Sequence, residues 1–268
     1  MSPFGICQNK RSQALACTGH TIPRAACGTG RDPGHEPAGA PGLSDPRPAS
    51  SADFALTPGQ AVARQRELAT AIRQRPLRRP VRLVGGVDVG FEDGGRITRA
   101  VAVLFDAQTL ELRASALARQ PTRFPYVPGL LSFRETPAAL EAVGQLPQRP
   151  DLLLCDGHGR AHPRRFGYAC HLGLLLDLPT IGVGKSRLCG EHAALPQHAG
   201  AWVELRERDE IIGAVLRSRH AVRPIFVSVG HLITLPEALE QVQRCLSGRR
   251  LPEPVRAADL LASRRSAR

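Results

Sequence analysis

Two apolar runs in this chain carry an aspartate at their ends, set among glycines. Val81 to Val89 ends in Gly85-Gly86-Val87-Asp88-Val89, followed by Gly90, and Leu152-Leu153-Leu154-Cys155 leads into Asp156-Gly157-His158-Gly159. The second run is short, apolar and bounded by Pro150 and Gly157, the pattern of a buried strand. A carboxylate at such a place is costly to bury unless it is paired or binds a cation. Asp88 also reads as a turn-capping residue before Gly90. Two acids at strand ends, with glycines that admit a phosphate closely, are the minimum for a Mg²⁺ site, because that ion takes oxygen ligands and keeps several waters.

Around these runs the pattern predicts one domain over residues 56–268. Thr57-Pro58 is an N-cap and first-turn pair, with Val62, Ala69 and Ile72 on one face of a helix that stops before Pro76. Three β-rich runs follow, Val81 to Val89, Thr98 to Phe105 and Leu110 to Leu117. Glu92-Asp93-Gly94-Gly95 and Asp106-Ala107-Gln108 join them as an antiparallel meander. A helix is expected from Thr136-Pro137, then the strand at 152 to 155, then a helix, a strand and a helix through Pro179-Thr180-Ile181-Gly182-Val183. Runs at 201 to 206, 210 to 217 and 224 to 229 precede a helix from about Leu235 to Leu246. The expected class is α/β, a mixed sheet with the meander first and alternating helices and strands after it, flanked by helices.

Residues 1–55 differ. Fourteen of the first 50 are Gly or Pro and apolar periodicity is absent, so a disordered extension is expected. The first 31 residues hold Lys10, Arg11, Arg24 and Arg31 and no acid, which leaves an organellar presequence and a misassigned start both open. No run approaches the roughly 18 apolar residues of a membrane span. The seven cysteines form no C-x-x-C pair and read as free thiols of a reducing, cytoplasmic setting, in a soluble monomer. Net charge is +12, which fits a polyanionic partner such as nucleic acid, although base composition of the genome and a solvated basic face explain it equally well.

Further residues could carry chemistry. Glu135, in Ser132-Phe133-Arg134-Glu135, either completes a three-carboxylate cluster or pairs with Arg134 at the surface. Carboxylate-held metal can position a water, neutralise phosphoryl charge and help the leaving oxygen. Lys185 is the only lysine of the expected domain, so its position calls for a compact point charge, as at a scissile phosphate. Gly182-Val183-Gly184 before it is not a P-loop, because Pro179 occupies the first glycine position. His231, His158 and His162 are either structural or second-rank site groups, and no zinc spacing is present. Tyr126 lies between Pro125 and Pro128 in Phe124-Pro125-Tyr126-Val127-Pro128-Gly129. It is either a core aromatic or a ring held out to fill the gap of an extruded base.

Taken together, the motifs resemble the endonuclease V family over about residues 57 to 262. The resemblance is carried by Gly-Val-Asp-Val-Gly-Phe at 86 to 91, Pro-Tyr-Val-Pro-Gly-Leu-Leu-Ser-Phe-Arg-Glu at 125 to 135 and Asp-Gly-His-Gly-Arg-Ala-His-Pro-Arg-Arg-Phe-Gly at 156 to 167. Gly-Val-Gly-Lys-Ser at 182 to 186, Ser-Val-Gly-His at 228 to 231 and Leu-Pro-Glu-Pro-Val-Arg at 251 to 256 extend it. It implies a ribonuclease H-like fold and a DNA-repair endonuclease that cuts the second phosphodiester bond 3′ to deoxyinosine. Mg²⁺, with Mn²⁺ as a substitute, would sit on Asp88 and Asp156, with Glu135 completing the acidic site. Lys185 and His231 would support the scissile phosphate and Tyr126 would be the strand-separating wedge. Gly129, Gly157 and Arg134 would contact substrate. The partner would be DNA with deaminated bases, single-stranded DNA and RNA remaining open, and the alternatives are an inosine-specific ribonuclease and a lesion-binding protein that does not cut.

Overall fold

In a computed structural model, the structure describes residues 54–263. All but the last two residues of the extension expected over 1–55 lie outside the described residues. The first helix, α1 (Pro58–Ala69), starts where the sequence placed it. The Thr57 hydroxyl accepts from the Gln60 amide and the Gln60 side chain accepts from the Thr57 amide, which satisfies two of the orphan donors of the first turn.

The meander forms as expected from β1 (Leu83–Glu92), β2 (Ile97–Asp106) and β3 (Leu112–Pro121), paired antiparallel. β4 (Leu152–Asp156) then lies parallel to β1, and β5 (Thr180–Gly184) parallel to β4. β6 (Trp202–Glu207), β7 (Glu210–Leu216) and β8 (Ile225–His231) complete an eight-stranded sheet in the order β3-β2-β1-β4-β5-β8-β7-β6. Among the described residues the only parallel pairs are the central β1–β4 and β4–β5, and each is reached through a helix, as parallel pairing requires.

Side-chain alternation divides the core into two layers. One face of the sheet, with Val87, Leu153 and Cys155, packs against α2 (Leu131–Gly144) and α3 (Tyr168–Leu176). The other, with Val84, Leu152, Leu154, Ile181 and Val183, packs against α4 (Leu235–Arg244) and α5 (Glu253–Ser263). Counting by twos from Val84 puts Gly86, Asp88 and Gly90 on the α5 face of β1. Both glycines are there to let α5 in: a Cβ on Gly86 would stand 2.1 Å from the Pro254 carbonyl oxygen, and one on Gly90 would stand 2.9 Å from that of Ala262. Arg99 of β2 fastens the end of α5, donating from Nη1 to the Ala262 carbonyl at 2.7 Å.

Three expectations need correction. The helix expected after the strand at 180–183 is not formed: among the described residues, 185–201 carry no helix, only the Glu191–Arg206 bridge, with Gly190 at φ +77° and Pro196 interrupting the stretch. α2 begins at Leu131, not at Thr136, and Pro137 sits inside it. Leu130 and Phe133 are buried with Phe124 and Ala61 of α1, and this packing of the first turn outweighs the hydrogen bond that Pro137 cannot donate. Glu135 is therefore a helical residue with a fixed direction. α5 was not anticipated, although Val255, Ala258 and Ala262 recur at helical spacing after Pro254. Among the described residues, no helix is long and apolar enough to cross a membrane.

Replacing Gly86 with alanine should lower stability by about 1–3 kcal/mol, the usual cost of overpacking, in chemical denaturation. Gly59→Ala, with nothing within 4 Å of the added carbon, is the control that should lose nothing.

Candidate active site

The alternation that aims Asp88 at α5 does the same for two neighbouring strands. Leu152 and Leu154 face α5, so Asp156, the last residue of β4, does too; Ile181 and Val183 set the same direction for Lys185, just past β5. α5 meets them with Asp259. One carboxylate oxygen from each of Asp88, Asp156 and Asp259 lies within 4.8 Å of the other two. Lys185 Nζ stands 2.5 Å from Asp156 Oδ2 and donates to Asp259 Oδ1 at 2.7 Å. Glu135, from α2 on the other face, lines the same cavity of about 440 Å³, together with Gly157, His158, His162 and Tyr168.

Four acids against Lys185 and Arg187 leave this cavity with a formal charge of −2 when all are ionised. Burial, followed by the charge of Asp156, pushes the Asp88 carboxyl up to about 7. Burial, with Asp88 and Asp156 next, pushes Glu135 up to about 8. Asp156 is also raised by burial, against the pull of its bond to Lys185. Burial acts to lower Lys185, but its bonds to Asp156 and Asp259 outweigh that and hold the ammonium charged. The buried Tyr168 hydroxyl has no hydrogen-bond partner, and burial, with Glu135 beside it, holds it well above its ordinary value. Clustered carboxylate oxygens with deficient positive charge suit a hard divalent cation, which takes oxygen donors and reverses the repulsion that raises these groups.

This arrangement has counterparts. The endonuclease V family model matches residues 66–260. Endonuclease V of Azotobacter vinelandii is 54% identical over 214 residues, covering 80% of this chain and 97% of that protein.

The chain belongs to the endonuclease V family.

Among solved structures, endonuclease V from Streptomyces avermitilis superposes with a TM-score of 0.75 at 41% identity, over 79% of this chain and 93% of that one. Endonuclease V of Ciona intestinalis, solved in complex with a 24-mer DNA containing an inosine followed by a ribo-adenosine, superposes with a TM-score of 0.66 at 26% identity, over 76% of this chain and 95% of that one. The fold is thus the ribonuclease H-like fold of endonuclease V, and the protein is a nuclease.

The expected residues do not all meet. Asp88, Glu135, Asp156, Lys185, Gly129 and Gly157 line the cavity. Both glycines have positive φ, 79° at Gly129 and 149° at Gly157, and a Cβ on Gly157 would lie 3.4 Å from the Tyr168 ring. Tyr126 is 68% exposed on the loop before Gly129, so it is not a core aromatic.

Arg134 faces away from the cavity. Its guanidinium donates to the Phe124 carbonyl at 2.7 Å and the Gly95 carbonyl at 3.2 Å and lies 4.5 Å from the centre of the Phe91 ring. It clamps the loop before α2 rather than a phosphate, because its neighbour Glu135 already takes the cavity side of the helix. His231 is placed at the far end of the β5–β8 pair, aligned with Thr180, whereas Lys185 follows Gly184 at the other end. It is buried, its Nδ1 accepts from the Arg73 amide at 3.3 Å, and burial pushes it down to about 4. Sequence reasoning missed Asp259. The available signal was its place in an apolar stripe, four residues after Val255 and three before Ala262.

The raised carboxyls set a pH dependence. Asp88 and Glu135 have folded values above their unfolded values near 4, so from about pH 4 to 8 the folded state binds more protons and stability falls as pH rises. In EDTA, scanning calorimetry should show the Tm dropping from about pH 5 to 8, and millimolar Mg²⁺ should remove most of that drop. A Tm indifferent to both pH and Mg²⁺ would contradict the charge deficit.

Proposed function

We propose that this protein is a Mg²⁺-dependent, cytoplasmic DNA-repair endonuclease. It recognises hypoxanthine, the deamination product of adenine, and hydrolyses the second phosphodiester bond 3′ to the lesion. The observation that carries this reading is the convergence of Asp88, Asp156 and Asp259 on one point, with Lys185 beside them. The inosine-containing DNA bound by the Ciona relative supports the choice of substrate.

Asp88 and Asp156, with Asp259 as a third oxygen donor, would hold Mg²⁺, or Mn²⁺ in its place, which would supply charge neutralisation on the phosphoryl oxygens and ease deprotonation of the attacking water. Glu135, which lines the same cavity from α2, is suited by position to take the proton of the attacking water. Lys185 brings a compact positive charge to the scissile phosphate, exchanging part of its contact with the two aspartates for the phosphate oxygens. Tyr126 fills the gap left by the extruded base, with Gly129 and Gly157 giving the base close access to backbone. Arginines outside the cavity hold the DNA backbone, which gives affinity that falls with salt. Neither Arg134 nor His231 has a place in this mechanism.

The ribo-adenosine after the inosine in the Ciona complex favours one second reading, cleavage of inosine-containing RNA. Side-by-side turnover of matched DNA and RNA substrates decides between them. With an end-labelled duplex holding one inosine, wild-type protein should give a single Mg²⁺-dependent cut at the second phosphodiester 3′ to the lesion, and EDTA should abolish it. Asp88→Asn should lose the cut by more than about 100-fold, beyond the roughly 10–100-fold of an outer-shell change, while DNA binding persists. Undiminished nicking by that variant, or lesion binding without any cut in the wild type, would overturn the proposal.

A further inference from the structure

One side chain of α1 reaches the cavity. Gln65 is fully buried, and its carboxamide meets two distant stretches of chain. Its Nε2 donates to the Gly129 carbonyl at 3.1 Å and to the Phe166 carbonyl at 2.6 Å, while its Oε1 accepts from Arg164 Nε. Those carbonyls lie 64 and 101 residues further along the chain. Both amide hydrogens are thereby used, and the bond from Arg164 fixes which end of the carboxamide is oxygen.

The Gly129 carbonyl is the centre of this knot. Arg164 Nη2 donates to it at 2.8 Å, and His162 Nε2 faces it at 3.0 Å. His162 Nδ1 accepts from the Arg164 amide at 3.1 Å, so Nε2 carries the hydrogen and the ring is neutral. Burial, with Arg164 nearby, keeps that ring neutral by pushing it down to about 4. A carbonyl oxygen offers two lone pairs, and three donors already converge here, so no acceptor capacity is left for an entering base.

A buried amide is stable only when fully paired, and an apolar side chain of similar size could fill the same space without that demand. What the amide adds is direction. It holds Gly129 at φ +79° and so fixes the turn closed by the Leu130 amide on the Val127 carbonyl at 2.9 Å. Tyr126 projects from the start of that turn.

We propose that Gln65 is a positioning residue for lesion capture: by holding the Gly129 and Phe166 carbonyls together it presets the Tyr126 turn in the geometry that opens a duplex beside the lesion. This inference rests on the function proposed above and extends it to a residue outside the acid cluster. Its consequence is a substrate asymmetry. A preset wedge matters when a base pair must be opened and has nothing to do when the inosine is already in a single strand.

The test uses the full chain with Gln65→Glu, which keeps the shape and the acceptor for Arg164 but removes both donors. Gln65→Met, which buries no charge, replaces it if the first variant does not fold. In protein without DNA, amide hydrogen exchange over residues 126–130 should accelerate in the variant. On inosine in a duplex, kcat/KM should fall about 30-fold, the effect of two ordinary hydrogen bonds, with the loss mainly in KM. On the same sequence as a single strand it should change by less than about twofold. Equal losses on both substrates, no loss on the duplex, or unchanged exchange would overturn the inference. A wild-type protein that cuts neither substrate would refute the proposed function instead, and the exchange measurement would still report on Gln65.

Discussion

Half-buried carboxylates of like charge cannot all stay ionised in one cavity without a counterion, and the architecture of this protein brings several together. Asp88 and Asp156 are delivered by adjacent parallel strands whose register leaves them no way to separate. Asp259 arrives on a helix pressed against the same sheet, and Glu135 from a helix on the opposite face. The single ammonium of Lys185 answers part of this charge. The remainder is answered either by protons, which is why Asp88 and Glu135 are pushed toward neutrality, or by a divalent cation. A site that is protonated when empty and ionised when loaded couples metal binding to proton release.

The rest of the fold serves that convergence. Glycines at 86 and 90 remove the side chains that would keep α5 away from β1, and Arg99 ties down the helix end. The meander of β1 to β3 supplies a wide floor on which α2 can lie, so that Glu135 reaches over the ends of the central strands. Around the cavity a second network, in which Gln65, a neutral His162 and the Arg164 guanidinium converge on backbone carbonyls, organises the loop that carries Tyr126. In the proposed function the acids are where a phosphate reacts, and the hydrogen-bonded knot sets how the strand is presented. These two parts have different physics, repulsion relieved by an ion in one and saturated hydrogen bonding in the other.

Much of this was legible in the residue order. Asp88 and Asp156 declared themselves because acids at the ends of buried strands need a reason, and Lys185 because it stands alone among arginines. The meander and the α/β alternation followed from period and turn residues. Glu135 remained open until α2 was seen to start five residues early, since only a helical backbone at 135 sends Glu135 into the cavity and Arg134 away from it. Asp259 was hidden because it belongs to a helix far along the chain, and nothing local to it signals that glycines at 86 and 90 have made room for it. Arg134 and His231 lie within family motifs in sequence, yet the structure brings neither to the cavity: one points off the far side of its helix and the other sits at the opposite end of the β5–β8 pair from Lys185.

The central claim is that Asp88, Asp156 and Asp259 share one hard cation. Anomalous diffraction from crystals soaked in Mn²⁺ tests it most directly, because the signal locates the ion without reference to activity. A peak touching carboxylate oxygens of all three residues is the predicted result. The absence of a peak there, or an ion bound only by other residues, would contradict the account.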